Sequence, residues 1–366
     1  MRIARHIVYW ILVVSGLPWL VRRLNRRKVL ILAYHSVHAD RADPLLNFDG
    51  MHVRARRFAR QMRYVSRHYD VVDLDSLLDG PAPGSGRPRA VITFDDGYRN
   101  VGRVASPILR RIGLPATLFV PTDFMRHGRG LWWDRLRVML GATRQSTLRF
   151  SADGREHRLP IRTVTERGAA LEQLTQALRR LVPRQREAVL AGLATSLDVP
   201  TGDGGALGTA LTVDEVRALA KGGMRIGSHG VTHDSFLHLE PAVLSWELTE
   251  SRRRLESIVE GPVEWLAYPY GDFSDEVAEA AKRAGYRGAV TTIESLTDDR
   301  CRPHELTRVG VHDGVTFAHF VFATSGLRDL VLSAAVAARR LWHRPRKEPS
   351  PNADGAAIRT VAGGGR

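Results

Sequence analysis

From Val29 onward the chain alternates short apolar runs with helical stretches, a rhythm that restricts it to βα units wound into a parallel sheet or barrel. The apolar runs VLILAYH (29–35), AVITFDD (90–96), ATLFVP (116–121), MRIGSH (224–229), WLAYPY (265–270) and GAVTT (288–292) read as strands. Helical stretches over 55–69, 105–112, 213–222, 243–260 and 274–284 lie between several of them, and PAPGSGRP (81–88) reads as a loop. Residues 122–211 break the rhythm with LWWDRLRVML, a short polar β-like piece and helices to about Leu197, which reads as an insertion between two βα units. The expected organisation is a main domain over 29–325 carrying that insertion, a helical extension over 326–344, and a Pro-, Gly- and Ala-rich tail over 345–366 that is expected to be disordered.

Charge adds a second constraint. Lys and Arg number 54 against 39 Asp and Glu, a formal net charge of +15 that suits nucleic acid, an anionic membrane or an acidic substrate. Arg22, Arg23, Arg26, Arg27 and Lys28 follow an apolar stretch near the start, and Arg339, Arg340, Arg344, Arg346 and Lys347 sit in a polar stretch toward the end. No basic stripe interleaved with aromatics lies between them, so an anionic membrane surface is the expected partner and nucleic acid is not. A bland solvated surface is the alternative. Residues 7–21 (IVYWILVVSGLPWLV) fall short of the roughly 20 apolar residues of a spanning helix, and Gly16 and Pro18 interrupt them. Arg22 and Arg23 stand where a cleavage site would need small residues. A signal anchor, an interfacial helix with Trp10 and Trp19 at headgroup depth, and an ordinary first helix packed on the domain all stay open. Residues 1–28 are therefore read as a membrane-associated segment. Basic residues are denser after it than before it, so the positive-inside rule places the catalytic domain in the cytoplasm, with an anchored extracytoplasmic placement as the alternative. Cys301 is the only cysteine, which excludes an intrachain disulfide and a cysteine-based zinc site.

Four motifs carry candidate chemistry. TFDDGY (93–98) puts two aspartates at the C-terminal end of an expected strand, where barrels and α/β sheets place their sites. Neighbouring side chains leave a strand on opposite faces, so one carboxylate can hold a metal while the other acts as a base; a plain Asp-Gly turn is the alternative. SHGVTH (228–233) follows another strand, and on one turn of helix His229 and His233 would share a face, a common two-histidine metal geometry. One carboxylate and two neutral imidazoles suit Zn²⁺, with other divalent transition metals as alternatives. LAYPYGDFS (266–274) supplies a stiff turn whose backbone N–H groups could stabilise an oxyanion. LAYHSV (32–37) places His35 at the end of the first strand.

Taken in order, TFDDGY, HGVTH and AYPYG resemble the polysaccharide deacetylase family, the family 4 carbohydrate esterases with a NodB-type domain, over roughly 29–325 apart from the insertion. The resemblance implies a distorted (β/α) barrel of about seven parallel strands that hydrolyses N-acetyl groups of amino sugars in a metal-dependent way. It implies Asp95 as catalytic base, Asp96, His229 and His233 as metal ligands, and the Tyr270 N–H as oxyanion donor, with Pro269 in the same substrate-facing turn. The family's Leu-x-x-His motif, which supplies the general acid, is matched by Leu32 to His35 at the front of the chain, as in circularly permuted exopolysaccharide deacetylases; His312 in VGVH is its rival. The arginine that usually opens the third motif is replaced by Leu266, and Arg308 in LTRVGV is the candidate substitute. The family's Asp-x-x-Asp-Trp motif is not recognisable. Trp132 and Trp133 would offer stacking faces for a sugar or would anchor the insertion. The expected substrate is an N-acetylated glycan of the cell envelope or an exopolysaccharide, with a lipid-linked form suggested by the basic N-terminus. A catalytically impaired carbohydrate-binding relative and a hydrolase for another acyl group are the alternatives.

Overall fold

The computed structural model describes residues 2–39, 47–48, 50–78, 86–127, 130–152, 155–202, 205, 207–298 and 302–332. The chain divides into two units, 1–329 and 330–366, and the second is described only over 330–332. Residues 327–332 are helical, while the rest of the expected extension, the C-terminal basic cluster and the 345–366 tail lie outside the described residues.

Twelve strands are defined among the described residues: β1 (Val29–Tyr34), β2 (Ser36–His38), β3 (His52–Arg54), β4 (Asp70–Val71), β5 (Arg89–Phe94), β6 (Thr117–Val120), β7 (Thr147–Ala152), β8 (Arg155–Pro160), β9 (Arg225–Ser228), β10 (Trp265–Ala267), β11 (Gly288–Glu294) and β12 (Leu306–Gly310). Seven close a barrel in the order β1–β12–β11–β10–β9–β6–β5, with every pairing parallel. Closure comes from β1 on β5, in register from Val29 opposite Arg89 to Tyr34 opposite Phe94. The short β4 is added outside the start of β5. This is the distorted (β/α) barrel expected from the resemblance.

Strand β1 shows why these segments fold as they do. Its residues alternate between two apolar environments, so both faces are covered, as parallel strands require. Val29 and Ile31 join Val91, Phe119, Trp265 and Val290 in one cluster, whereas Leu30, Leu32 and Tyr34 pack with Phe58 and Met62 of a helix over Ala55–His68. The six expected strands are all present, each within a few residues of its expected limits. The seventh barrel strand, β12, is missing from the sequence reading because LTRVG is short and its third residue is an arginine.

Between β6 and β9 the chain forms helices over Thr122–His127, Trp132–Ala142, Val164–Leu178, Pro183–Leu197 and Val213–Lys221, with the antiparallel β7–β8 hairpin among them. Thr163 with Glu166 and Thr212 with Glu215 each make a reciprocal capping box, which fixes where two of these helices begin.

Candidate active site

Every expected site residue of the barrel lies just beyond the C-terminal end of a strand: His35 after β1, Asp95 and Asp96 after β5, His229 and His233 after β9, and Tyr270 after β10. That is the rim where a parallel barrel presents its chemistry. The strand expected over 90–96 stops at Phe94, so strand alternation is not what separates the two aspartates. Asp96 instead takes a left-handed conformation (φ 72°), followed by Gly97 (φ 68°), and this reversal sends the adjacent carboxylates to different partners. A Cβ on Gly97 would lie 3.0 Å from Val120 Cγ1, so the turn has little room for a side chain.

Asp96 meets the two histidines. Its Oδ1 lies 3.4 Å from His229 Nε2 and 3.2 Å from His233 Nε2, and the two Nε2 atoms are 3.2 Å apart. All three residues are buried. The pairing of the histidines is not the helical one the four-residue spacing suggested: residues 229–235 form an irregular loop, with Gly230 at φ 79° and His233 at φ 63°. The loop's N–H groups bond outward to the helix over Pro241–Val259, where the buried Glu247 carboxylate accepts from Val231 N–H at 2.6 Å and from Thr232 Oγ1 at 2.7 Å. His229 Nδ1 lies 2.7 Å from Ala267 O, so it donates there, and this fixes the ring with Nε2 turned toward Asp96.

Asp95 has a different neighbour. Arg308, on β12, holds it with two parallel bonds, Nη1 to Oδ1 at 2.8 Å and Nη2 to Oδ2 at 2.7 Å. The same guanidinium donates to Thr291 O at 2.8 Å and to Thr93 Oγ1 at 3.1 Å, and both members of the pair are buried. Position 266 cannot do this work: Leu266 packs in an apolar cluster with Phe236, Leu248 and Tyr268. The arginine that holds Asp95 thus comes from β12, not from β10.

The electrostatics follow from these contacts. Burial pushes the Asp95 carboxyl up, but the Arg308 charge and its hydrogen bonds outweigh burial and hold it below the ordinary value. Burial likewise opposes ionisation of Asp96, and the bonds to His229 and His233 pull it well below that value. The histidines move in opposite directions. Burial lowers both, but the bond to Asp96 lifts His229 above its ordinary value, whereas the nearby His229 adds to burial in depressing His233.

A cavity of about 160 Å³ opens over these groups, lined by His35, Asp95, Asp96, His229, His233 and Tyr270. The region between β6 and β9 supplies part of its wall: Trp133 and Arg137 from the helix over Trp132–Ala142, and Leu171 and Thr175 from the helix over Val164–Leu178. None of these four except Trp133 was singled out in the sequence. His312 is exposed and lies off this cavity, so His35 is the histidine the fold brings to the rim.

The aromatic residues divide. Trp133 contributes to the wall, its ring 4.6 Å from that of His233, and its Nε1 donates to Tyr98 Oη at 3.1 Å. Tyr98 Oη in turn bonds the buried Asp134, whose carboxyl burial pushes up to about 7 although Arg137 pairs with it. Trp132 does not present an open stacking face. It is buried off the cavity wall, donates to Tyr270 Oη at 3.2 Å, and carries the Arg186 guanidinium over its ring at 5.2 Å. Pro269 is buried in the turn that positions Tyr270. Tyr270 itself is left-handed (φ 60°), a conformation uncommon for a bulky residue and found where the surroundings impose it. Gly271 follows at φ 74°, and a Cβ there would fall 2.0 Å from Thr292 Oγ1.

The donor set fits a divalent cation. One carboxylate oxygen and two imidazole nitrogens converge within 4.8 Å of one another in a buried pocket, and one imidazole is already oriented by a backbone carbonyl.

Comparisons with known proteins agree with this picture. Residues 197–289 match the family model described as polysaccharide deacetylase. A curated Bacillus subtilis (strain 168) protein, YxkH, which carries a provisional polysaccharide deacetylase name, is 26% identical over 110 residues. That match covers 30% of this chain and spans about two fifths (39%) of the relative. The solved Streptococcus pyogenes deacetylase PplD in complex with acetate superposes with a TM-score of 0.55 at 18% identity, covering 81% of this chain and 98% of that one. BC0361, a polysaccharide deacetylase from Bacillus cereus, gives 0.51 at 18% identity, covering 81% and 69%. The resemblance read from the sequence motifs and the barrel it implied are both borne out.

Proposed function

We propose, from the premise of a polysaccharide-deacetylase-type barrel, that this chain is a metal-dependent hydrolase that removes acetyl groups from N-acetylated amino sugars of a glycan. The observation that carries the reading is the division of labour between adjacent carboxylates. Asp96 faces two imidazole nitrogens, while Asp95 is clamped by Arg308 and faces the same cavity. Asp96, His229 and His233 would hold the cation, and two neutral imidazoles with one carboxylate favour Zn²⁺. Bound there, it would supply Lewis acidity to the acetyl carbonyl and to water.

The chain's own residues supply the rest. Asp95, kept ionised by Arg308, takes the proton from the attacking water, and the bidentate clamp holds the carboxylate in a fixed orientation for that transfer. The Tyr270 N–H is the donor offered to the carbonyl oxygen as it becomes an oxyanion. His35 delivers a proton to the departing amine, so acetate and a free amino sugar result. A cavity of about 160 Å³ is smaller than the roughly 300 Å³ at which sites for drug-sized ligands begin. It admits the acetamido group and part of one ring, leaving the rest of the glycan outside.

His35→Gln should lower kcat by roughly 10²–10⁴-fold, the usual worth of a positioned acid or base. His312→Gln should stay within about twofold of the parent, because His312 lies off the cavity. The reverse ranking would move the acid role to His312. The reaction class is tested by assaying acetate and free amine together on N-acetylated oligosaccharides and on an O-acetylated polysaccharide. Equal amounts of acetate and amine are expected from the first substrate. Acetate from the second alone would assign an esterase instead.

A further inference from the structure

We propose that the first two helices form a bent surface anchor that lies in the headgroup region of an anionic lipid bilayer, held against the domain and not crossing the membrane. The first helix runs over Arg2–Val14 and the second over Leu17–Leu24. No single described helix is long and apolar enough to cross a membrane, and these two together are bent by 67° at Gly16 (φ 75°). Pro18 at the start of the second helix makes that bend part of the covalent design.

One side of each helix is tied to the domain. Tyr9 stacks on His319 with centroids 4.7 Å apart and an interplanar angle of 6°, and lies 4.9 Å from Phe322; both partners belong to the helix over Phe317–Thr324. Val21 is buried with Phe322 and Leu327, with Leu12 and Leu17 packed against them. Arg22 pins the second helix to the helix over Ala55–His68. It is buried, donates to Tyr64 Oη at 2.6 Å and lies over the Tyr64 and Tyr69 rings. Arg22 is thus a packing residue, and the basic cluster counted from the sequence loses one member from its surface.

The other side is apolar and exposed. Ile7, Trp10, Ile11 and Val14 are 51–73% exposed on the first helix, and Trp19 and Leu24 are 58% and 74% exposed on the second. The stripe on the first helix follows the i, i+3, i+4, i+7 spacing of one helical face. An ordinary packed first helix would turn these residues inward; here Tyr9 and Leu12 face the domain and the Ile7–Val14 stripe stays outside. Next to the stripe, Arg23, Arg26 and Arg27 are exposed and form no salt bridge among the described residues, and the Arg23 guanidinium lies 5.8 Å from the Trp19 ring. Large aromatics and aliphatics rimmed by guanidinium groups complement an anionic bilayer surface: the apolar groups enter the acyl boundary and the cations meet the phosphates. A protein partner would explain the apolar stripe but gives no reason for a rim of one sign.

The test uses the full chain and vesicle flotation, with phosphatidylcholine alone or mixed with about one third phosphatidylglycerol. Binding to the anionic vesicles is expected to exceed binding to neutral ones at least fivefold and to fall as salt screens the rim. Trp10→Ser combined with Trp19→Ser should remove most of it, and Arg23→Glu with Arg26→Glu and Arg27→Glu should remove the preference for anionic lipid. All five positions are exposed, so the variants should keep their circular dichroism spectrum and hydrolytic activity. Absence of binding to either vesicle, or equal binding to both, would overturn the proposal. So would resistance of the vesicle-bound chain to alkaline carbonate, which marks a span. None of these readouts depends on the substrate assignment.

Discussion

Asp95→Asn is expected to abolish useful turnover, lowering kcat by roughly 10²–10⁴-fold while leaving metal uptake intact. The asymmetry follows from the geometry, since Asp95 bonds Arg308 whereas Asp96 faces the imidazoles. Asn keeps the size of Asp but sets an NH₂ donor against a guanidinium that is all donor, so one of the two clamp bonds is lost. Stability should therefore drop by about 1–3 kcal/mol, the cost of a buried donor left unsatisfied. Steady-state kinetics, metal stoichiometry and a thermal melt on one preparation separate these effects. Loss of metal together with activity would mean that Asp95 is a ligand, contrary to the assignment.

Arg308→Met should be the most damaging substitution to the fold among the site residues. It leaves the buried Asp95 carboxylate without its cation, and breaking one side of a buried pair costs about 3–5 kcal/mol. Activity should fall too, with a change of shape that plain misfolding would not give. With the guanidinium gone, burial loses the main influence that opposes it on Asp95, and the pKa rises. The acid limb of the pH–rate profile then moves to higher pH, and residual activity recovers partly in alkaline buffer. For the parent protein the sign runs the other way. Asp95 is depressed when folded, so its contribution to stability is complete above the ordinary aspartate value of about 3.9 and is lost as pH falls through the folded value. A pH–rate profile of the variant parallel to the parent's would remove Arg308 from the positioning role.

How far the sequence could be read depended on how local each feature was. The βα rhythm and the six strong strands needed only apolar runs and their spacing, and Asp95, Asp96, His229, His233 and His35 stood at strand ends in short motifs. What depended on distant contacts was harder. Arg308 reaches Asp95 from 213 positions away, and nothing in LTRVG says that its guanidinium turns into the barrel. The two histidines converge for a reason the sequence did not display: Glu247, fourteen residues past His233, captures the loop's N–H groups and holds a non-helical turn. Trp132 and Trp133 look alike in sequence, yet a helix separates neighbours by about 100°, and only Trp133 reaches the cavity. The wall contributed by Arg137, Leu171 and Thr175 had no signal at all, since a helical residue facing a site looks the same as one facing the core.

The most direct measurement is acetate release from N-acetylated oligosaccharides by the full chain, stripped of metal and then reloaded with one equivalent of Zn²⁺, with His233→Ala treated in parallel. Release that is absent after stripping, returns at one ion per chain and does not return in the variant is the predicted result. Undiminished release by the stripped protein, or recovery in the variant at the same single equivalent, would contradict a cation held by Asp96, His229 and His233.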